Sequence, residues 1–192
     1  MPAGEILIEL NVQDPSKEVY FLGDDKNPSN PYHFNYEELR DSNCQIFADE
    51  KEIDFCKNHV FGSSGTHVVK LVIKKKIKSC RNMFAGCVDI KSVDLTKLEA
   101  SEIVSMEFMF VGCSNLTKVE FGAINTSKVA SMANMFVYCT ELTECDMSKL
   151  NTDSLVAMRD IFRGCVKLQN LKIFDTSNVK DYACPFNSPF GV

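Results

Sequence analysis

The string MFVGC, Met109 to Cys113, is written four times in this chain in slightly different spellings. MFAGC stands at 83–87, MFVYC at 135–139 and IFRGC at 161–165. Phe84, Phe110, Phe136 and Phe162 are each 26 residues apart, and so are Cys87, Cys113, Cys139 and Cys165. Other columns hold the same register on both sides of this anchor. Ile77, Ile103, Val129 and Leu155 align, as do Cys80, Met106, Met132 and Met158. After the cysteine come Ile90, Leu116, Leu142 and Leu168, then Val93, Val119, Cys145 and Leu171, then Leu95, Phe121, Met147 and Ile173. Leu98, Ile124 and Leu150 follow, with Phe174 joining them if the last unit is two residues short. So many matched columns make this a repeat protein.

Each unit reads C-x-x-L-x-x-V-x-L, a polar turn such as Asn125-Thr126 or Asn151-Thr152, then V-x-x-M-x-x-M-F-x-G-C. The end of the first part has apolar residues two apart, which is strand spacing. The second part runs at threes and suits a short strand turning a corner or a single helical turn. Gly86, Gly112 and Gly164 fit a position of positive φ, with Tyr138 the exception. A unit this short cannot bury its own apolar face, so neighbours must stack on it, like residues about 5 Å apart. The expectation is a β-rich repeat solenoid over 66–186, with units starting near 77, 103, 129, 155 and 179 and a tail at 187–192. Phe110 and Phe136 belong to its core, so a polar substitution there costs more than one at a solvent position.

These columns resemble the BspA-type (Treponema-type) leucine-rich repeat, in the M-F-x-G-C variant common in mycoplasma surface proteins and unicellular eukaryotes. The resemblance covers roughly residues 66–186. It implies leucine-rich-repeat-like right-handed coils, a role in binding or adhesion, and no catalytic residues. Bacterial members are typically exported, whereas this sequence opens with MPAGEILIELNVQD, which has neither the basic nor the apolar region of a secretory leader.

Residues 1–65 do not share the period and read as a β-rich cap shielding the first coil. A β-grasp-like module with its own partner is the alternative. Residues 5–12 and 17–23 alternate and predict a hairpin around Gln13–Ser16. DDKNPSNPYHFN reads as a loop, YEELRDSN as a helical turn, and CQIFADEKEIDFC as a second hairpin with Ala48 to Lys51 at its tip. THVVKLVIKKKI then feeds a strand into the first repeat.

The net charge of −5 argues against a nucleic-acid binder, and the run Lys74-Lys75-Lys76 reads as a solvated strand edge. No apolar run is long enough to span a membrane. The nine cysteines are odd in number and form no C-x-x-C pair, which with the missing leader predicts free thiols and a cytoplasmic location. An exported surface adhesin whose leader lies outside this sequence is the alternative.

Zinc is weighed on Cys44, Cys56, His59 and either His33 or His67, but only Cys56-x-x-His59 has close ligand spacing. No metal or cofactor is expected. The repeated cysteine column reads as packing, because free cysteine behaves as a small buried hydrophobe. His33, His59 and His67 all fall outside the repeats and no hydrolase or phosphate-loop motif occurs, so no enzyme is expected. Asn115-Leu-Thr117 and Asn125-Thr-Ser127 fit a glycosylation pattern and read better as turn formers.

Two surface columns remain. Asp94, Glu120 and Asp146, continued by Lys172, form a candidate acidic strip between the inward residues of the strands. Val104, Ala130 and Val156, with Val111 and Val137 after M-F and Phe108 nearby, form a candidate apolar partner surface. Val111 is the residue of the MFVGC string expected to face outward. The functional expectation is a non-enzymatic protein-binding or scaffold module. A structural subunit of a larger assembly is the further alternative.

Overall fold

The computed structural model describes residues 2–31 and 35–181. Among them the chain is all-β, with ten strands and no helix. In chain order they are β1 (Gly4–Val12), β2 (Val19–Tyr20), β3 (Cys44–Ala48), β4 (Lys51–Ile53) and β5 (Asn58–His59). Then come β6 (Gly65–Ile73), β7 (Ile90–Leu98), β8 (Lys118–Glu120), β9 (Glu144–Asp146) and β10 (Asn170–Lys172).

The largest sheet has six strands in the order β4-β3-β6-β1-β7-β8, so N-terminal strands and the first two repeat strands share one ladder. β1 lies at its centre, antiparallel to both β6 and β7. Its alternation explains this place: Ile6, Ile8, Leu10 and Val12 are all buried on one face. The hairpin expected between 5–12 and 17–23 is therefore not formed. The second segment supplies only Val19–Tyr20, paired antiparallel with β5. The β3–β4 hairpin does form, with Ala48 paired to Lys51 and both tip residues at positive φ, Asp49 at 47° and Glu50 at 68°. That pair of angles is the type I′ turn whose twist matches the flanking strands. YEELRDSN makes no helix. Tyr36 and Leu39 are taken into the core, and the segment closes in a turn where the Asn43 and Cys44 N–H groups donate to the Arg40 carbonyl.

In the repeats, the L-x-x-V-x-L segments are the parallel strands. Ser92, Val93 and Asp94 pair with Lys118, Val119 and Glu120, and Glu144 to Asp146 pair with Asn170 to Lys172. No strand pairing joins β8 to β9 among the described residues. The other side of each unit is continuous: Ser79, Ser105, Ser131, Ala157 and Asp181 form successive parallel bridges.

The V-x-x-M-x-x-M-F-x-G-C arm is neither a plain strand nor a helical turn. Alternate N–H groups reach the next unit: Cys80, Asn82, Phe84 and Gly86 donate to the carbonyls of Ser105, Glu107, Met109 and Val111. The N–H groups that follow the last three of these, Met83, Ala85 and Cys87, donate three residues back within the unit. Met106, Phe108, Phe110 and Gly112 repeat the pattern onto the third unit. Tight turns of this kind need left-handed residues, and Gly86, Gly112 and Gly164 provide them at φ 71°, 72° and 78°.

The side chains of the arm stack in the core. Phe84, Phe110, Phe136 and Phe162 lie at successive centroid distances of 5.2, 5.2 and 5.4 Å, with planes within 20° of parallel. The cysteine column has its own logic. The thiols of Cys113, Cys139 and Cys165 donate at 3.0, 3.1 and 3.0 Å to the carbonyls of Phe84, Phe110 and Phe136 in the preceding unit. The residue must be small enough to pack and still carry a donor, which cysteine satisfies. Burial pushes these thiols up, Cys165 to about 12.

Candidate functional site

The outward side of the corner arm carries the candidate partner residues, and its geometry divides them. Val104 and Val156 are 49% and 42% exposed, with Ala130 half-buried between them. The three occupy equivalent positions beside the bridge residues, and the Ala130 and Val156 N–H groups donate to the carbonyls of Val104 and Ala130. This column is a real apolar surface on a regularly bonded flank.

Val111 and Val137 are not part of it. They are only 2% and 7% exposed and pack with Ala85 into a small second core, against which the half-buried Phe108 lies. The expectation that Val111 faces outward is therefore corrected. The tight turns that follow M-F fold this slot back against the equivalent slot of the next unit, where apolar side chains bury each other. Phe108 covers that cluster, and the Arg81 guanidinium lies 5.1 Å from its ring centroid. Arg81 is also ion-paired with Glu107.

The acidic strip is interrupted and neutralised. Asp94 and Glu120 are cross-strand neighbours, but Glu120 and Asp146 sit on strands that do not pair. Lys118 lies 2.8 Å from Glu120 and 3.7 Å from Glu144, and Lys172 lies 3.1 Å from Asp146. The Ser148 hydroxyl, the Lys172 ammonium and the Ser148 N–H hold the Asp146 carboxyl down to about 2. A shallow concavity of about 490 Å³ opens over β8, β9 and β10, lined by Lys118, Glu120, Glu144, Asp146, Lys149 and Lys172 among others. Its charges are mixed, and each ion pair is exposed enough to contribute little on its own.

The zinc candidates are dispersed. Cys44 is buried in β3, Cys56 is half-buried, His59 lies in β5, and His33 lies outside the described residues. Among the described residues no group of three His, Cys, Asp or Glu side chains is placed to hold a metal ion. No helix there is long and apolar enough to cross a membrane.

One constellation escaped the sequence reading. His67 is buried with Nδ1 2.6 Å from the Asp49 carboxylate, and its Nε2 lies 3.3 Å from the Ser63 hydroxyl. The residue types are those of a hydrolytic triad, yet Nε2 is closer, at 2.9 Å, to the Ser63 carbonyl oxygen. A nitrogen facing a carbonyl must donate, so it is not placed to draw a proton from the hydroxyl. Burial works to raise the Asp49 carboxyl, but the Val68 N–H and the His67 ring outweigh it and hold the group below its ordinary value. The trio ties the β3–β4 tip to the loop before β6. The sequence offered no signal for it, since the three residues follow no motif.

A family model described as Mycoplasma protein of unknown function, DUF285, matches residues 78–190. No curated protein and no solved structure matches the chain.

Proposed function

We propose a function for a chain that belongs to the DUF285 family: a non-enzymatic module that presents a repeat surface to a protein partner. The architecture we infer is a solenoid of leucine-rich-repeat-like coils of the BspA type over 66–186, with residues 1–65 as its cap. Support for the coils comes from the bridges, three of them spaced 26 residues apart and the last 24, the stacked phenyl rings and the thiol ladder. The eight described cysteines, all unpaired, suit a reducing compartment.

The observation that carries the binding role is the column of Val104, Ala130 and Val156. It places apolar side chains on the surface of three consecutive units, where solvent alone would favour polar ones. The test is a Val104→Ser, Val156→Ser double variant, compared with wild type by quantitative crosslinking to native partners. Loss of the crosslinked species with an unchanged unfolding curve supports the reading. Identical crosslinks in the two proteins would sink it.

A further inference from the structure

Two left-handed columns run along the corner arm, and each has one departure. The first is Asn82, Phe108, Asn134 and Asp160, at φ 63°, 54°, 58° and 52°. Asn and Asp tolerate this conformation, whereas a bulky aromatic is an outlier there. The second is Gly86, Gly112, Tyr138 and Gly164, with Tyr138 at φ 60°. Both departures are aromatic, and they fall in adjacent units. Tyr138 is 43% exposed and its ring lies over Gly164, where an added Cβ would come within 2.6 Å of the Tyr138 Cδ1. Phe108 covers the small second core, but Tyr138 belongs to neither buried cluster, and backbone strain kept without a core to bury is a mark of function.

The arginines supply a second, independent sign. The chain has Arg40, Arg81, Arg159 and Arg163, and the last three all lie on this arm. Three lysines of the repeats are paired to the unit before, Lys128–Glu102, Lys167–Glu141 and Lys172–Asp146. Arg81 has Glu107. Arg159 and Arg163 are exposed and take part in no ion pair among the described residues. The Arg163 carbonyl accepts from the Tyr138 N–H and the Arg159 carbonyl from the Asn134 N–H, so with Asp160 between them the two arginines leave a net positive charge on the stretch bonded to the Tyr138 arm, on a chain whose net charge is −5. Arginine with tyrosine is the composition of interface hot spots, and the guanidinium fork matches a carboxylate bidentately.

We propose that this corner of the third and fourth units, built on Tyr138, Arg159 and Arg163, docks an acidic segment of a protein partner. Its carboxylates pair with Arg159 and Arg163, and a side chain of the segment packs on the Tyr138 ring. The proposal rests on the binding-module reading and gives that module a site and a partner chemistry. The field of the two guanidiniums steers an acidic segment to this corner, so association slows as salt rises.

The test uses the full chain and a displayed library of random dodecapeptides. Enriched peptides are then measured as labelled synthetic probes. Enrichment in Asp and Glu is expected. An Arg159→Gln, Arg163→Gln variant should lose at least about tenfold in affinity, and Tyr138→Gly, which restores the repeat's own residue, should lose a similar factor. Lys128→Gln, an arm-flank charge already paired, serves as the control and should change nothing. Acidic peptides that bind all variants equally overturn the corner while leaving a binding module standing. So does enrichment of neutral or basic peptides, or displacement of the probe by inorganic phosphate with no preference for carboxylate peptides. A library from which no peptide of any composition is enriched overturns both readings.

Discussion

The inward and outward columns of the corner arm are made by the same eleven residues in each unit, yet they obey different rules. Inside, the positions of Phe110 and Cys113 are filled identically in all four complete units, and each phenyl ring meets its own copy while each thiol from Cys113 on meets the Phe carbonyl of the unit before. Outside, the left-handed positions use Asn, Asp and Gly except at Phe108 and Tyr138, where aromatics keep the same left-handed backbone. Repetition marks what the stack needs for stability, and its departures mark what the stack does not need. That contrast is open to measurement from both sides.

The largest effect belongs to the phenyl stack. Phe110→Ala removes a fully buried ring with a stacked neighbour on each face and should cost about 3–5 kcal/mol by urea denaturation. Val104→Ser, one column away and outside, should stay within about 0.5 kcal/mol. A comparable loss at both positions would erase the distinction.

Next come the thiols. Their folded pKa lies above the unfolded value of about 8.5, so unfolding releases protons once the pH exceeds that value. The stability they contribute is full below about pH 8.5 and falls as pH rises toward the folded value, about 12 for Cys165. Each buried thiol should remove up to about 1.4 kcal/mol per pH unit in that window. A Cys113→Ala, Cys139→Ala variant, though weaker at pH 7, should therefore lose less than wild type on going from pH 7 to pH 9.5. Parallel losses would show that these thiols do not titrate with unfolding.

Smaller still is the left-handed column. Asn134→Ala places a β-carbon-bearing residue without a polar side chain at φ 58° and should cost about 1 kcal/mol, while Asn134→Gly should be neutral or stabilising. The exposed inter-unit pairs come last. Lys167→Ala breaks the 2.7 Å pair with Glu141 and should change stability by about 0.2–1 kcal/mol, less at high salt.

The repeat was legible in the sequence because its signal was local and printed four times: the buried columns at Phe84 and Cys87 follow directly from the period. The sheet around β1 was not. Pairing of Ile8 with Val69 and Val93 joins segments far apart in sequence, and alternation says which face a strand buries but not which strands flank it. Hence the misassigned hairpin at 5–23. Val111 was misplaced for a different reason. A valine slot after M-F looks outward on a strand, and only the alternating inter-unit and intra-unit hydrogen bonds turn it under. Tyr138 was visible as the break in the glycine column, but its meaning required the φ angle and its backbone bond to Arg163 in the next unit.

The contrast comes to one residue. Tyr138→Gly should relieve a left-handed strain of about 1–2 kcal/mol and give up a partly exposed ring. Its unfolding free energy should therefore stay within about 1 kcal/mol of wild type, with affinity for the acidic peptide probe, measured on the same sample, falling about tenfold. A collapse of stability with affinity per folded molecule unchanged would place Tyr138 among the residues that hold the stack together and contradict the account.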